Sequence, residues 1–280
     1  MAGKLYLCAT PIGNLEDITY RVVRVLSEVD IIGAEDTRNS IKLLNHFNIS
    51  TPMTSYHEFN KYDKAKVLVN MMKEGKDVAL ITDAGTPGIS DPGEELVRQC
   101  YEAGIEVTSL PGACACVTAL TMSGLPTRRF CFEAFLPVDK KERGRILSQL
   151  KEETRTIIIY EAPHRLKKTL KEIREYLGNR EMTVCRELTK RYEEAIKLTI
   201  DEAMEKYETT EPKGEFVLII KGKTFEELEE EKADKWSEMS VVEHVDMYIE
   251  KGIDKKEAFK LVAADRNVSK RDIYNEYTRG

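Results

Sequence analysis

From residue 4 to residue 124, short apolar runs alternate with longer segments in which apolar residues recur every three or four positions. The runs, bounded by turn residues, predict strands at 4–9, 31–35, 53–57, 78–81 and 106–110. The three-to-four spacing predicts helices at 20–27, 38–46, 63–74, 94–103 and 113–123, with Thr19 and Thr37 placed to cap the first two. Such alternation implies a parallel α/β sheet whose ligands bind outside the carboxyl ends of its strands. Four loops then share that edge: 11–13, 35–38, 83–90 and 111–115.

After Arg128 the pattern changes. Strands are expected at 130–136, 156–161, 182–186, 195–199 and 215–220, with helices at 140–152, 165–177 and 201–207. Fewer helices per strand predict a mixed, partly antiparallel sheet. The chain therefore reads as two α/β domains, residues 1–125 and 126–223, with the cleft between them the default place for a ligand. Residues 224–239, which include the string FEELEEEKADK, read as an acidic linker. Residues 240–280 carry three short amphipathic stretches, a compact turn at Arg266, Asn267 and Val268, and Ser269 as a cap, the outline of a small all-α helix-turn-helix-like module. From Lys251 onward it holds eight Lys or Arg against five acids. Nucleic-acid binding and plain packing or dimerisation both suit it.

The most specialised stretch is TDAGTPGISDPG, residues 82–93, between a strand and a helix. Three glycines and two prolines in twelve positions predict a loop both sharply turned and stiff. Its exit suggests Asp91 as helix cap, Pro92 as first helical residue and Glu94 completing a capping box. No Lys or Arg lies between Lys76 and Arg98, whereas Asp77, Asp83, Asp91, Glu94 and Glu95 do. With neither GxxxxGK[ST] nor GxGxxG present, the loop favours a neutral or cationic ligand over a phosphate, or is a tight turn chosen for geometry alone. The following helix is rich in small residues (Ala113, Cys114, Ala115, Cys116, Ala119), which let a backbone pass close to either a ligand or a sheet.

Composition narrows the class only a little. The chain has 280 residues, 41% hydrophobic and 33% charged, with a net charge of −6, an ordinary soluble balance that neither requires nor forbids a nucleic-acid partner. No signal peptide and no membrane-spanning run is evident. Six cysteines without CxxC spacing and only four histidines argue for reduced thiols in a cytoplasmic protein and against a metal site. Charged strand ends in YEAPHR (160–165) and RELTK (186–190) suggest a polar site, with His164 a lone further candidate.

The strings ATPIGNLEDIT (9–19), AEDTR (34–38), TDAGTPGISDPG (82–93), LPGACACVTALTMSGL (110–125), FEAFLP (132–137), YEAPHR, RELTK and GEFVLII (214–220) occur in order over some 220 residues. Together they resemble the tetrapyrrole methylase superfamily, in its branch of bacterial small-subunit ribosomal RNA ribose methyltransferases. The resemblance implies a homodimeric two-domain α/β enzyme that binds S-adenosylmethionine in the cleft and methylates the 2′-hydroxyl of a cytidine in the decoding region of 16S ribosomal RNA, free or in the small subunit. It implies cofactor contacts at Pro11, Ile12, Asp83, Gly85, Thr86, Ile89, Cys114, Ala115, Tyr160, Leu188 and Glu215. Thr86 departs from the Asp carried by tetrapyrrole enzymes, which suits the RNA branch.

For the chemistry, Glu161 is the first candidate base, with Lys190 or Arg165 placing a phosphate or oxyanion. RNA contacts are expected at Arg38, Lys140, Lys141, Arg143, Lys270 and Arg271. Two other functions stay open at this point: a methyltransferase acting on a small ring, and a non-catalytic ribosome- or RNA-binding factor.

Overall fold

The computed structural model describes residues 2–234, 236 and 239–279. They form two compact units, residues up to 148 with 156–221, and 149–155 with 222 onward.

The larger unit contains two five-stranded sheets. The first is built from β1 (Leu5–Cys8), α1 (Tyr20–Glu28), β2 (Ile31–Ala34), α2 (Thr37–His46), β3 (Met53–Ser55), α3 (Lys61–Lys73), β4 (Val78–Ile81), α4 (Gly93–Glu102), β5 (Val107–Leu110) and α5 (Ala115–Met122). Its order is β3-β2-β4-β1-β5, and every pairing is parallel. The all-apolar β4 follows from burial on both faces: Leu80 packs with Leu68, Met72 and Leu96, while Ala79 and Ile81 pack with Val22, Leu26 and Leu44. Each fully buried Leu or Ile contributes about 1.5–3 kcal/mol.

The second sheet is built from β6 (Phe130–Phe135), α6 (Lys140–Leu150), β7 (Thr156–Glu161), α7 (Pro163–Leu177), β8 (Glu181–Arg186), β9 (Glu194–Thr199), α8 (Ile200–Thr209) and β10 (Phe216–Ile220). In the order β6-β7-β10-β8-β9, only β6 and β7 are parallel. A bulge between Phe132 and Ala134 bends β6, and Ala134 takes φ 51°. The small-residue helix α5 follows the first sheet in sequence but packs on the second: Cys116, Ala119 and Leu120 share a core with Ile158, Cys185, Val217 and Ile219. Its small side chains let the helix lie close to the strands.

The smaller unit comprises α9 (Phe225–Asp234), α10 (Val241–Glu250), α11 (Lys255–Asp265) and α12 (Lys270–Arg279). The stretch expected as a linker is helical for most of its length, because Glu is a good helix former and Thr224 and Glu227 cap its start reciprocally. Lys235, Ser237 and Glu238 of that expected linker lie outside the described residues. Val241, Val245, Phe259, Val262 and Ile273 form a core for α10–α12. Among the described residues no helix is long and apolar enough to cross a membrane.

Three local expectations are corrected. Asp36, not Thr37, caps α2, its carboxylate accepting the Arg38 N–H at 2.8 Å. Pro92 occupies the cap position of α4, which has no side-chain cap, so Asp91 lies one residue too early to cap it. Arg143 is 3% exposed and fully engaged, donating to both Glu172 carboxylate oxygens and to the carbonyls of Pro137 and Val138. It fixes the turn into α6 and is withdrawn as an RNA contact.

His244 is completely buried between the rings of Trp236 and Tyr248. Its Nδ1 accepts from Arg266 Nε at 3.1 Å and its Nε2 lies 3.2 Å from Asp265. Burial, then the Arg266 charge, hold its pKa below the ordinary value against the pull of Asp265. The unfolded histidine, titrating near about 6.5, therefore takes up a proton before the folded one. Its contribution to stability is complete above that pH and is lost as pH falls below it, by at most about 1.4 kcal/mol per pH unit. Trp236, the single tryptophan of the chain, supplies the signal: its fluorescence should report a lower melting temperature for this unit at pH 5.5 than at 7.5. His244→Gln should flatten that dependence.

Candidate functional site

Four loops at the carboxyl end of the first sheet are tied to one another. Thr10 and Gly85 exchange backbone hydrogen bonds at 2.9 and 3.0 Å, and the Thr10 hydroxyl donates to the Thr82 carbonyl. Thr86 Oγ1 donates to the Ala113 carbonyl at 2.9 Å, joining the loop after β5. Asp83 accepts from the Asp36 N–H and from Asn39 Nδ2, joining the loop after β2. Gly85 has φ 84°, and a Cβ there would meet Ile12 Cγ2 at 3.4 Å. The left-handed backbone favours glycine here, while a Cβ would be in ordinary contact with Ile12.

The second sheet closes the site from the other side. The Tyr160 hydroxyl, at the end of β7, accepts the Cys116 N–H at 2.8 Å and so satisfies a free donor at the start of α5. Glu187 and Thr189 have φ 51° and 64°, so the loop carrying Leu188 is held in a strained conformation. Glu187 stabilises it by accepting from the Glu215 N–H and from Lys190 Nζ.

Between these parts lies a cavity of about 490 Å³. Ile12, Asp83, Gly85, Thr86, Ile89, Cys114, Ala115, Tyr160, Leu188 and Glu215 line it, so the residues expected to hold a cofactor are brought together from sequence positions far apart. Pro11 stands outside the wall, next to Ile12. Sequence reasoning missed Glu35, Ala84, Ser90, Asp91, Phe135, Phe216 and Val217 as wall residues. In the sequence Glu35 is legible only as a loop carboxylate and Asp91 as a helix cap; Phe135 and Val217 look like ordinary strand positions.

The cavity has a distinct chemistry. Among the described residues no Lys or Arg lines it, while Glu35, Asp83, Asp91, Glu161 and Glu215 do. Burial, with Glu35 and Asp83 nearby, pushes the Asp91 carboxyl up to about 7. Burial also raises Glu35, outweighing the Asp83 N–H that it accepts. The Cys114 and Cys116 sulfurs are 3.4 Å apart; donation from Cys116 holds Cys114 below the ordinary thiol value, and Cys116 is correspondingly raised.

The three residues expected to do chemistry fare differently. Glu161 touches the cavity but is 1% exposed: its carboxylate accepts from the Ala162 N–H at 2.8 Å and from Thr169, and pairs with Arg165 at 3.4 Å. With its oxygens committed, it organises the β7–α7 turn and is withdrawn as a base. Arg165 donates to the Leu136 carbonyl at 2.6 Å and belongs to the same brace. Lys190 lies beside the cavity, its Nζ bonded to Glu187 at 2.9 Å and to the wall residue Glu215 at 2.8 Å. Burial pulls its pKa down, but the two glutamates outweigh that and keep it raised, hence cationic. Arg38 is exposed and pairs with Asp36; Lys140, Lys141 and Arg271 are exposed and Lys270 is half-buried. His164 is exposed on α7 and does not line the cavity.

These features agree with what the chain resembles. Residues 4–204 match the family model described as Tetrapyrrole (Corrin/Porphyrin) Methylases. Proteins named ribosomal RNA small subunit methyltransferase I are similar throughout: that of Halalkalibacterium halodurans is 52% identical over 98% of this chain and 94% of its own. That of Bacillus subtilis is 48% identical over the same shares. Among solved structures, the methyltransferase CobJ aligns with TM-score 0.60 at 19% identity, over 79% of this chain and 95% of that one. Diphthine synthase aligns with TM-score 0.61 at 12% identity, over 79% and 91%; at these identities the two structures establish the fold alone. Methylases of this kind take their methyl group from S-adenosylmethionine. With the fold, the cavity and a matched segment running through both sheets, the chain belongs to the tetrapyrrole (corrin/porphyrin) methylase family.

Proposed function

We propose that the protein methylates the ribose 2′-hydroxyl of a cytidine in the decoding region of 16S ribosomal RNA, using S-adenosylmethionine, as a homodimer in the cytoplasm. The observation that carries this reading is the cavity: lined by apolar residues and carboxylates and, among the described residues, by no Lys or Arg, it suits a donor that is itself positively charged. The relatives named for ribosomal RNA methylation supply the substrate class.

Ile12, Leu188 and Val217 offer an apolar wall, and Gly85, Cys114 and Ala115 let backbone come close to a ligand. Asp83 and Glu35 provide negative potential toward a cation. When bound, S-adenosylmethionine supplies an activated methyl group on positively charged sulfur. The chain's own task is then mainly alignment, because holding hydroxyl and methyl at near-attack distance provides much of the rate. Lys190, cationic and beside the wall, is assigned to a substrate phosphate. Arg38, Lys140, Lys141, Lys270 and Arg271 are assigned to the RNA backbone, where charge neutralisation gives affinity without sequence preference.

Incubation with methyl-labelled donor and either small ribosomal subunits, naked RNA or a tetrapyrrole precursor tests this function. Label should enter RNA, and the modified position should resist alkaline cleavage. Label in the tetrapyrrole, or in no acceptor, would contradict it. Deleting residues 241–280 should weaken RNA binding and make it less salt-dependent while leaving donor binding unchanged; RNA affinity equal to that of the full chain would remove the helical module from this role.

A further inference from the structure

A second cavity, of about 510 Å³, opens on the first sheet's side of the molecule and shares Glu35, Ser90 and Asp91 with the first. Its volume lies in the range of small-molecule sites, roughly 300–1,000 Å³. Its floor is the start of α4, and its rim carries Tyr62, 59% exposed, and Lys61. The two basic groups are already paired, Lys61 with Glu58 and Arg98 with Glu95. What is left is acceptor-rich and has one aromatic face, which suits a neutral ring bearing hydrogen-bond donors rather than a free phosphate.

Asp91 stands on the shared wall. Its carboxylate is half-buried and makes no hydrogen bond or ion pair with the described residues; of the other carboxylates lining this cavity only Glu94, which is exposed, is likewise unpaired. Glu58 and Glu95 are paired, Glu35 accepts from the Asp83 N–H, and Asp83 accepts from Asn39. Ser90, just before it, is held at φ 68°, a strained backbone for a residue with a side chain. The turn thus presents an unpartnered, half-buried carboxylate to two adjoining cavities.

We propose that the second cavity receives the target nucleoside and that Asp91, on the wall it shares with the donor cavity, accepts the proton of the hydroxyl that is methylated. This rests on the 2′-O-methyltransferase reading. The 2′-oxygen gains its bond to the methyl carbon as the carbon–sulfur bond breaks, the bonding pair stays on sulfur, and the hydroxyl proton passes to an Asp91 oxygen. Tyr62 supplies a stacking face for the base. The carboxyl value near 7 is that of an effective base at neutral pH. It is set by burial and by Glu35 and Asp83 from the β2 and β4 ends; Glu58 from the turn before α3, Lys61 from the start of α3, and Glu94, Glu95 and Arg98 from α4 line the same cavity.

Asp91→Asn, assayed with donor and RNA both saturating, should lower kcat roughly 10²–10⁴-fold and remove the loss of activity below about pH 7. Tyr62→Leu should raise the KM for RNA roughly 5- to 150-fold with little change in kcat. A readout independent of turnover is carboxyl carbon NMR of the donor-free protein: one carboxyl should titrate near pH 7, be absent from Asp91→Asn, and shift when a cytidine-containing oligonucleotide is added. The oligonucleotide-induced shift of that titration is read on the wild-type chain, so it remains a test even if the variant does not fold. The proposal is overturned if Asp91→Asn keeps kcat within twofold and the same acid limb, or if the oligonucleotide leaves that titration unmoved. Failure of the wild-type enzyme to methylate any RNA while binding donor would instead overturn the underlying function.

Discussion

The structure depends on helix α5, which belongs to the first sheet by sequence and to the second by packing. Its side chains are small enough for the backbone to settle against β7 and β10, and Tyr160 caps its free Cys116 N–H. That docking places the start of α5, and with it Cys114 and Ala115, in the wall where loops from both sheets meet. A bulky residue at Ala119, which is fully buried, would force helix and sheet apart and open the cavity. Of packing and ligand approach, alternatives when the helix is read as sequence, packing accounts for Cys116 and Ala119, while Cys114 and Ala115 line the cavity.

The second constraint is electrostatic. Among the described residues the cavity wall gathers carboxylates and no Lys or Arg, and burial makes that arrangement costly, as the raised values of Glu35 and Asp91 indicate. A folded protein bears such a cost where a ligand relieves it. A cationic donor would do so, which would connect a general property of the loop, its lack of Lys and Arg, to the chemistry of the family. The positive φ values at Ser90, Glu187 and Thr189 are concentrated around the same wall.

Much of the architecture was legible in the sequence because hydrophobic period and turn residues are local signals. The alternation of strand and helix in the first sheet, the mixed second sheet and the crowding of four loops at one edge all follow from them. Side-chain commitments were not legible. Glu161 looks like a free strand-end carboxylate until Thr169 and Arg165, eight and four residues on, are seen to close on it. Arg143 sits in a run of basic residues, and only the fold shows that Glu172 takes it inward. Asp91 was read as a helix cap; a one-residue shift in the start of α4 leaves it facing the cavities.

Donor binding in the cavity between the two sheets would depend on the backbone of the Gly85 loop. Calorimetric titration of S-adenosylmethionine into the wild-type chain and into Gly85→Val tests it most directly. A β-branched residue at φ 84°, with Ile12 and the Ala113 carbonyl within 4 Å of its Cβ, should abolish measurable binding while the wild type binds one donor per chain. Equal affinity in the two proteins, with the variant folded, would contradict the account.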